Sequence, residues 1–175
     1  MERVHIEDYP TVKQHLDSYW DKIMPRADQG DTPYNLRNCA YLDEFSKPKI
    51  IWKRVGSIIR FSYDENGLFG LDSTCFATGK DIAYICCLLN SSMGHYLLNG
   101  APKTGTGDLL ISVQAVEPIK VPIIPSELNE TFKTMIYKGL SNSNTSIDDD
   151  VDNLIFNLYG LSDAEKEYLI TNFRG

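Results

Sequence analysis

Residues 35–54 read NLRNCAYLDEFSKPKIIWKR, a polar, arginine-bearing loop that leads into a short apolar run and ends in basic residues. Pro48 and Gly56 bound the apolar run, which predicts a β-strand over Lys49–Lys53. Residues 33–60, called the basic stretch below, have a net charge of +4, whereas the whole chain has a net charge of −7. This part of the chain is therefore predicted to provide a strand of the fold and a local positive face on an acidic protein.

More strands are predicted after this first one. Ile58–Tyr63 is rich in β-forming residues and leads into Asp64-Glu65-Asn66-Gly67, whose Asn-Gly step predicts a hairpin. Further strands are predicted for residues 68–71, 73–78, 109–113 and 120–124. Pro122 favours an edge position for the last of them, because proline cannot donate a ladder hydrogen bond.

Apolar residues at helical spacing predict helices on both sides of the strands. One helix is predicted from Tyr9-Pro10 to Ile23, and another from Ile82 to Leu97 with Asp81 as its N-cap. Three C-terminal helices are predicted, over residues 126–139, over residues 151–159, and after the capping box formed by Ser162 and Glu165. The pattern indicates an α+β fold, a mostly antiparallel strand cluster packed with helices. We expect a domain over residues 1–125 and a helical tail, residues 126–175, packed on it.

The composition excludes several classes of protein. With 175 residues and 42% apolar residues, the chain is long enough for a globular domain with a core. Its four cysteines have no CxxC spacing, which favours a reducing cytoplasm over a zinc site or a disulfide framework. No apolar run is long enough to span a bilayer. The histidines lie outside known nucleophile motifs, and the acidic run 148–152 lacks the glycine and terminal glutamate of a calcium loop, so no catalytic or metal site is predicted.

Two segments carry side chains that suit contact with DNA. Arginine and lysine in the basic stretch can neutralise phosphates or bond guanine, and asparagine can pair with adenine. The glycine-rich loop 100–108, GAPKTGTGD, adds donors and acceptors but lacks the GxxxxGK[ST] order of a nucleotide-binding loop. The predicted DNA-binding residues are Asn35, Arg37, Asn38, Lys53, Arg54, Arg60, Lys103, Thr104 and Thr106. We expect residues 102–108 to share one face with the basic stretch, the alternative being an ordinary solvated surface.

Six segments, in order and over nearly the whole chain, resemble the TaqI-like C-terminal specificity domain of bacterial restriction–modification methyltransferases. The opening YPTVKQHLDSYWDKIMPRADQGDTPYNLRNCAYLDEF is similar to the family's Tyr-Pro helix, its charged loop and its Leu-Arg-x-Cys-x-Tyr segment. The other similar segments are KPKIIW, FSYDENGLFGLDSTCFATG, DIAYICCLLNSSMGHYLL, VEPIKVPIIP and IDDDVDNLIFNLYGLSDAEKEYL.

The resemblance implies a DNA target-recognition domain of an N6-adenine DNA methyltransferase. Such domains follow a methyltransferase domain, sometimes with a fused endonuclease, and select the DNA sequence to be modified. The chain has no Asn/Asp-Pro-Pro-aromatic motif and no glycine-rich S-adenosylmethionine motif. We therefore expect a C-terminal fragment without catalytic activity or cofactor, the S-adenosylmethionine being bound by the parent catalytic domain.

The expected partners are double-stranded DNA and the methyltransferase domain of the same polypeptide, in the cytoplasm and without a membrane. A second hypothesis is a protein–protein scaffold module that docks a catalytic modification subunit. The acidic C-terminal third of the chain, with a net charge of −5 over residues 126–175, favours this alternative.

Overall fold

The computed structural model describes residues 4–58, 60–141 and 147–174, and the chain divides into two units, Met1–Leu42 and Asp43–Gly175. In the first unit, a 3-10 turn at Ile6–Asp8 precedes helices α1 (Pro10–Asp17) and α2 (Trp20–Ile23). The prediction of one continuous helix here is wrong. The hydroxyl of Ser18 donates to the carbonyl of His15 at 2.6 Å, and this local bond competes with the helical pattern where α1 ends.

A three-stranded antiparallel sheet lies in the second unit. Strand β1 (Lys49–Lys53) pairs with both β3 (Phe61–Asp64) and β4 (Thr74–Thr78). The predicted hairpin at Asn66-Gly67 is therefore wrong, because β3 and β4 do not pair with each other. The connecting residues 65–73 run along the length of the sheet, and the strand predicted at 68–71 does not form.

Each face of the sheet is covered differently, since side chains alternate along a strand. On one face, Ile50, Trp52 and Phe61 belong to the hydrophobic core together with residues of helix α3 (Ile82–Asn90). On the other face, the buried Lys49 forms an ion pair with Asp64. The 3-10 helix Leu42–Ser46 and the connection 65–73 cover this second face with a cluster of three aromatic rings, in which Phe45 stacks on Phe69 and Phe76.

Helices α3 (Ile82–Asn90) and α4 (Ser92–Leu98) replace the single helix predicted over this segment. The chain is extended at Ser91, whose side chain accepts a hydrogen bond from the backbone N–H of Gly94 at 3.2 Å. Asp81 lies at the N-cap position of α3, as predicted, but its φ of 57° is left-handed and its side chain makes no capping hydrogen bond. Helix α3 is nearly covered by its neighbours and lies at the centre of the core.

The C-terminal half adds four helices around α3 and α4. They are α5 (Val113–Val116), α6 (Ser126–Ser141), α7 (Ile147–Tyr159) and α8 (Asp163–Phe173). Helix α6 packs against α3 and α8 packs against α4, with Phe132 and Ile155 fully buried. The predicted capping box is confirmed, since Glu165 accepts from the backbone N–H of Ser162 at 2.8 Å.

A second small sheet pairs β2 (Val55–Gly56) with β5 (Leu109–Leu110). The predicted strand 109–113 is shortened to these two residues of β5, and the strand predicted at 120–124 does not form. The helices and antiparallel strands of the described ranges confirm the α+β class. The functional division at residue 125 stays a prediction.

A polar cluster joins α6 to the end of β3. The Glu65 carboxylate accepts hydrogen bonds from Lys133 at 2.6 Å, from Tyr137, and from Tyr63 at 3.0 Å. These donors, Lys133 first and Tyr137 second, hold the pKa of Glu65 at about 2 instead of its usual 4.5. The charged form of Glu65 therefore stabilises the contact between α6 and the sheet.

We expect the stability of the protein to fall as pH drops from about 5 to about 2, in part through Glu65. A carboxyl group whose folded pKa is depressed stabilises the fold above its unfolded pKa and loses that contribution as pH falls through the folded value. Glu65→Gln should lower the free energy of unfolding at pH 6. Between pH 6 and pH 2.5 this variant should lose less unfolding free energy than the wild type, as measured by urea unfolding at both pH values. Glu167→Gln, at an exposed residue of α8, is the control and should follow the wild type at both pH values. An identical pH dependence for wild type and Glu65→Gln would contradict this role.

Candidate nucleic-acid interface

The first unit contains the predicted residues Asn35, Arg37 and Asn38, which follow a tightly bonded loop. Gln29 and Leu36 form a β-bridge, and the backbone N–H of Gly30 donates to the carbonyl of Asn35 at 2.9 Å. A Cβ atom at residue 30 would lie 2.4 Å from the carbonyl oxygen of Leu36, so glycine is needed there. These contacts fix the direction in which the chain leaves the loop toward Arg37 and Asn38.

Only part of this group is available for contact with a ligand. The Oδ1 atom of Asn35 accepts from the Thr32 hydroxyl at 2.6 Å, inside the loop. Arg37 lies 3.3 Å from a carboxylate oxygen of Asp28, and both side chains are largely exposed, so this pair is weak and can open. Asn38 is exposed.

In the second unit, Lys53, Arg54 and Arg60 lie at the same end of the three-stranded sheet. Lys53 is the last residue of β1, and Arg54 follows it with its N–H donating to the carbonyl of Ser73 at 3.1 Å. Arg60 precedes Phe61, which pairs with Trp52, so Arg60 lies just beyond the ladder beside Lys53. All three side chains are exposed, and none has an ion-pair partner among the described residues.

Residues 102–108, named the recognition loop from here after the role predicted for them, are attached beside Arg54. The carbonyl of Arg54 accepts from the backbone N–H of Ile111 at 2.8 Å, and the β2–β5 ladder continues this contact. The buried Trp52 donates from its indole nitrogen to the carbonyl of Ile111 at 2.7 Å. The indole bond and the short ladder therefore hold the base of the recognition loop against the basic end of the sheet.

The recognition loop is closed at its base and presents an exposed lysine. Lys103 forms a β-bridge with Leu109, and the N–H of Leu110 donates to the carbonyl of Pro102 at 2.8 Å. The side chain of Lys103 is exposed, and Thr106 is exposed near the tip. Thr104 is partly buried. The structure thus brings the loop near the backbone of Arg54, while the role of these side chains in DNA contact stays a prediction.

The net charge of the basic stretch is larger than the positive charge that its surface exposes. Lys49 is fully buried, and its ammonium group is neutralised by Asp64. Lys47 is paired with Glu44 at 2.6 Å. No local pattern indicates that Lys49 is buried, because its partner is 15 residues further along the chain. The positive face that can meet a polyanion is therefore smaller than the sequence suggests, and it is concentrated at the end of the sheet.

Other kinds of site find little support in the described ranges. Among the described residues, no group of three or more His, Cys, Asp or Glu side chains is arranged to hold a metal ion, and no helix is long and apolar enough to cross a membrane. A cleft of about 590 Å³ borders Arg60 and is lined also by Asn90 and His95. Burial raises the pKa of Cys86, another of its lining residues, to about 12, which opposes a nucleophilic role for this thiol.

Comparison with known proteins adds no relative from which a role can be transferred. No protein-family model matches the chain, and no curated protein gives a significant sequence match. The geometry of the basic end of the sheet and the resemblance described above are therefore the grounds for a functional proposal.

Proposed function

We propose that the chain is the DNA target-recognition domain of a bacterial restriction–modification N6-adenine methyltransferase, and that it acts together with the methyltransferase domain of the same polypeptide. Phosphate contacts position such a domain, and contacts to base edges select the site. The catalytic domain then supplies S-adenosylmethionine and takes the target adenine out of the duplex. The chain itself neither methylates nor cuts DNA in this proposal.

The observation that supports the proposal best is the attachment of the recognition loop to the basic end of the sheet. Lys53, Arg54 and Arg60 provide unpaired cations for phosphates, and the neighbouring loop provides polar groups for a groove. A glycine-rich backbone can approach DNA closely, and Gly105 has open space around it. A positioning element beside a reading element is the arrangement that sequence-specific binding requires.

We expect weak, salt-dependent binding of duplex DNA by the chain, with Kd on the order of 10–100 µM at physiological salt. The triple variant Lys53→Ala/Arg54→Ala/Arg60→Ala should bind more weakly and should reduce the slope of log Kd against log salt by roughly 2–3. Fluorescence anisotropy of a labelled duplex, titrated at several salt concentrations, measures both quantities.

A charge-matched control separates a local interface from general attraction. Lys80→Ala/Lys120→Ala/Lys138→Ala removes the same charge from exposed residues elsewhere in the second unit. We expect this control to retain most of the affinity. Equal losses of DNA affinity in the two triple variants would reject the basic end of the sheet as the binding face. The absence of any DNA binding by the wild-type chain would reject the proposed function.

An apolar groove between α4 and α8 favours the second candidate function, a scaffold that docks a catalytic modification subunit. The groove has a volume of about 300 Å³ and is lined by Met93, Leu161 and Leu169, with the exposed rings of Tyr96 and Tyr168 at its sides. Aromatic side chains at the edge of an apolar groove are frequent in protein interfaces. A chain that fails to bind DNA but binds the catalytic subunit, and loses that binding on Tyr168→Ala, would favour this function over the first.

A further inference from the structure

The side chains of the recognition loop form a closed chain of hydrogen bonds. The hydroxyl of Thr106 donates to Oδ2 of Asp108 at 3.2 Å, and the hydroxyls of Thr104 and Thr106 lie 2.8 Å apart. The backbone N–H of Asp108 donates to the hydroxyl oxygen of Thr104 at 3.2 Å. Since a hydroxyl has one proton and that of Thr106 is used on Asp108, Thr104 must donate to Thr106.

The direction of these bonds decides what the loop can offer to a ligand. Neither threonine has a proton left to donate, so both act outward only as acceptors. The carboxylate of Asp108 accepts from Thr106 through one oxygen, and its other oxygen has no hydrogen-bond partner among the described residues. Apart from Lys103 at its base, the loop therefore offers a ligand only acceptor side chains, and the hydrogen bonds among Thr104, Thr106 and Asp108 hold them in place.

We propose that Asp108 determines base choice by accepting a hydrogen bond from the exocyclic N4 amino group of a cytosine in the major groove. The inference rests on the proposed function and specifies which base edge the recognition loop reads. Thr104 and Thr106 are positioning residues that hold the carboxylate, and Lys103 is the donor available for a guanine O6 or N7 atom of the same or the adjacent base pair.

The chemistry of the base edges favours cytosine over adenine. Cytosine presents only an amino donor in the major groove, whereas adenine presents the acceptor N7 beside its N6 amino group. A carboxylate has no proton for N7 and is repelled by its lone pair, so it suits cytosine. The carboxylate is also repelled by phosphates, because both are negatively charged. Asp108 therefore contributes to the choice of base and not to the general affinity for DNA.

The test replaces Asp108 by asparagine, which has nearly the same shape and offers a donor beside the acceptor. Selection of bound sequences from a randomised duplex library by the full chain should show a cytosine at one position, preferred about tenfold. With Asp108→Asn the preferred base at that position should change from cytosine to adenine, because an amide pairs with both N6 and N7 of adenine. Thr106→Val should weaken the cytosine preference without creating one for adenine.

Two further measurements make each outcome decisive. Asp150→Asn makes the same charge change at an exposed residue of α7 and should leave the selected sequence unchanged. Thermal unfolding shows whether each variant is folded, and Thr106→Val provides the test if Asp108→Asn is not. Selected sequences that are the same for the wild type, Asp108→Asn and Thr106→Val would overturn this inference and leave the proposed function intact. A chain that selects no DNA at all would overturn both.

Discussion

The variant Lys49→Ala is expected to lose about 3–5 kcal/mol of unfolding free energy, because it leaves a buried carboxylate without its partner. Lys49 has no exposed surface, and its ammonium group donates to Asp64 and to the carbonyl of Phe45, the latter at 2.6 Å. Burial would raise the pKa of Asp64, but the hydrogen bonds from Lys49 and from two backbone N–H groups outweigh it and lower the pKa. In the variant, the carboxylate of Asp64 therefore either stays charged in the interior without its charged partner or takes up a proton. Either change lowers the free energy of unfolding.

Lys47→Ala is the matched control, two residues earlier in the same basic stretch. Lys47 forms an exposed ion pair with Glu44, and such pairs contribute less than about 1 kcal/mol. Urea unfolding at pH 7, followed by far-UV circular dichroism, gives both values. Similar losses for the two lysines would mean that Lys49 is not buried as an ion pair.

The second large effect is expected at Gly94, where α4 leaves the break at Ser91. A Cβ atom at residue 94 would lie 2.1 Å from the carbonyl oxygen of Leu88 and 2.7 Å from the Cα of Leu89. These are backbone atoms of the buried residues Leu88 and Leu89 in α3, so they cannot move aside as a flexible side chain would. We expect Gly94→Ala to cost about 3 kcal/mol, at the upper end of the usual range for overpacking.

Gly100→Ala serves as the comparison, because a Cβ atom there meets nothing within 4 Å. Its φ is outside the positive range, and the substitution should be neutral or stabilise by about 0.4–1 kcal/mol through the unfolded chain. Thermal unfolding gives the melting temperatures of both variants for comparison with the wild type. Equal melting temperatures for Gly94→Ala and the wild type would contradict the close packing of α4 on α3.

Features with a local signal were predicted from the sequence. The capping box at Ser162, the start of α6 at Ser126 and the end of α7 before Gly160, whose φ is +65°, each follow from residues within one turn. The strand Lys49–Lys53 was also predicted, since Pro48 and Gly56 bound it. Such signals depend on backbone conformations that single residues favour.

Features that depend on tertiary contacts were missed. The connection 65–73 looked like a hairpin because Asn66-Gly67 suits one, whereas β1 pairs with both β3 and β4. The break at Ser91 was missed because the helical spacing of apolar residues continues across it, although Ser91 caps α4 by accepting from the backbone N–H of Gly94. In the candidate site, the sequence predicted exposed cations. It did not predict the burial of Lys49 or the hydrogen bond from Trp52 to Ile111, because both depend on residues that are distant along the chain.

The way in which the recognition loop is attached also bears on how the protein can change during evolution. Pro102 and Leu110 are joined by a backbone hydrogen bond of 2.8 Å, so residues of the loop before Leu109 can be inserted, deleted or exchanged while the attachment points stay in place. The connection 65–73 lacks this freedom, because it must span the sheet and place Phe69 on Phe45. In the proposed function, alternative loops grafted at residues 103–108 would change the DNA sequence that is bound, while Leu109 keeps its place in the β2–β5 ladder and against the hydrophobic core.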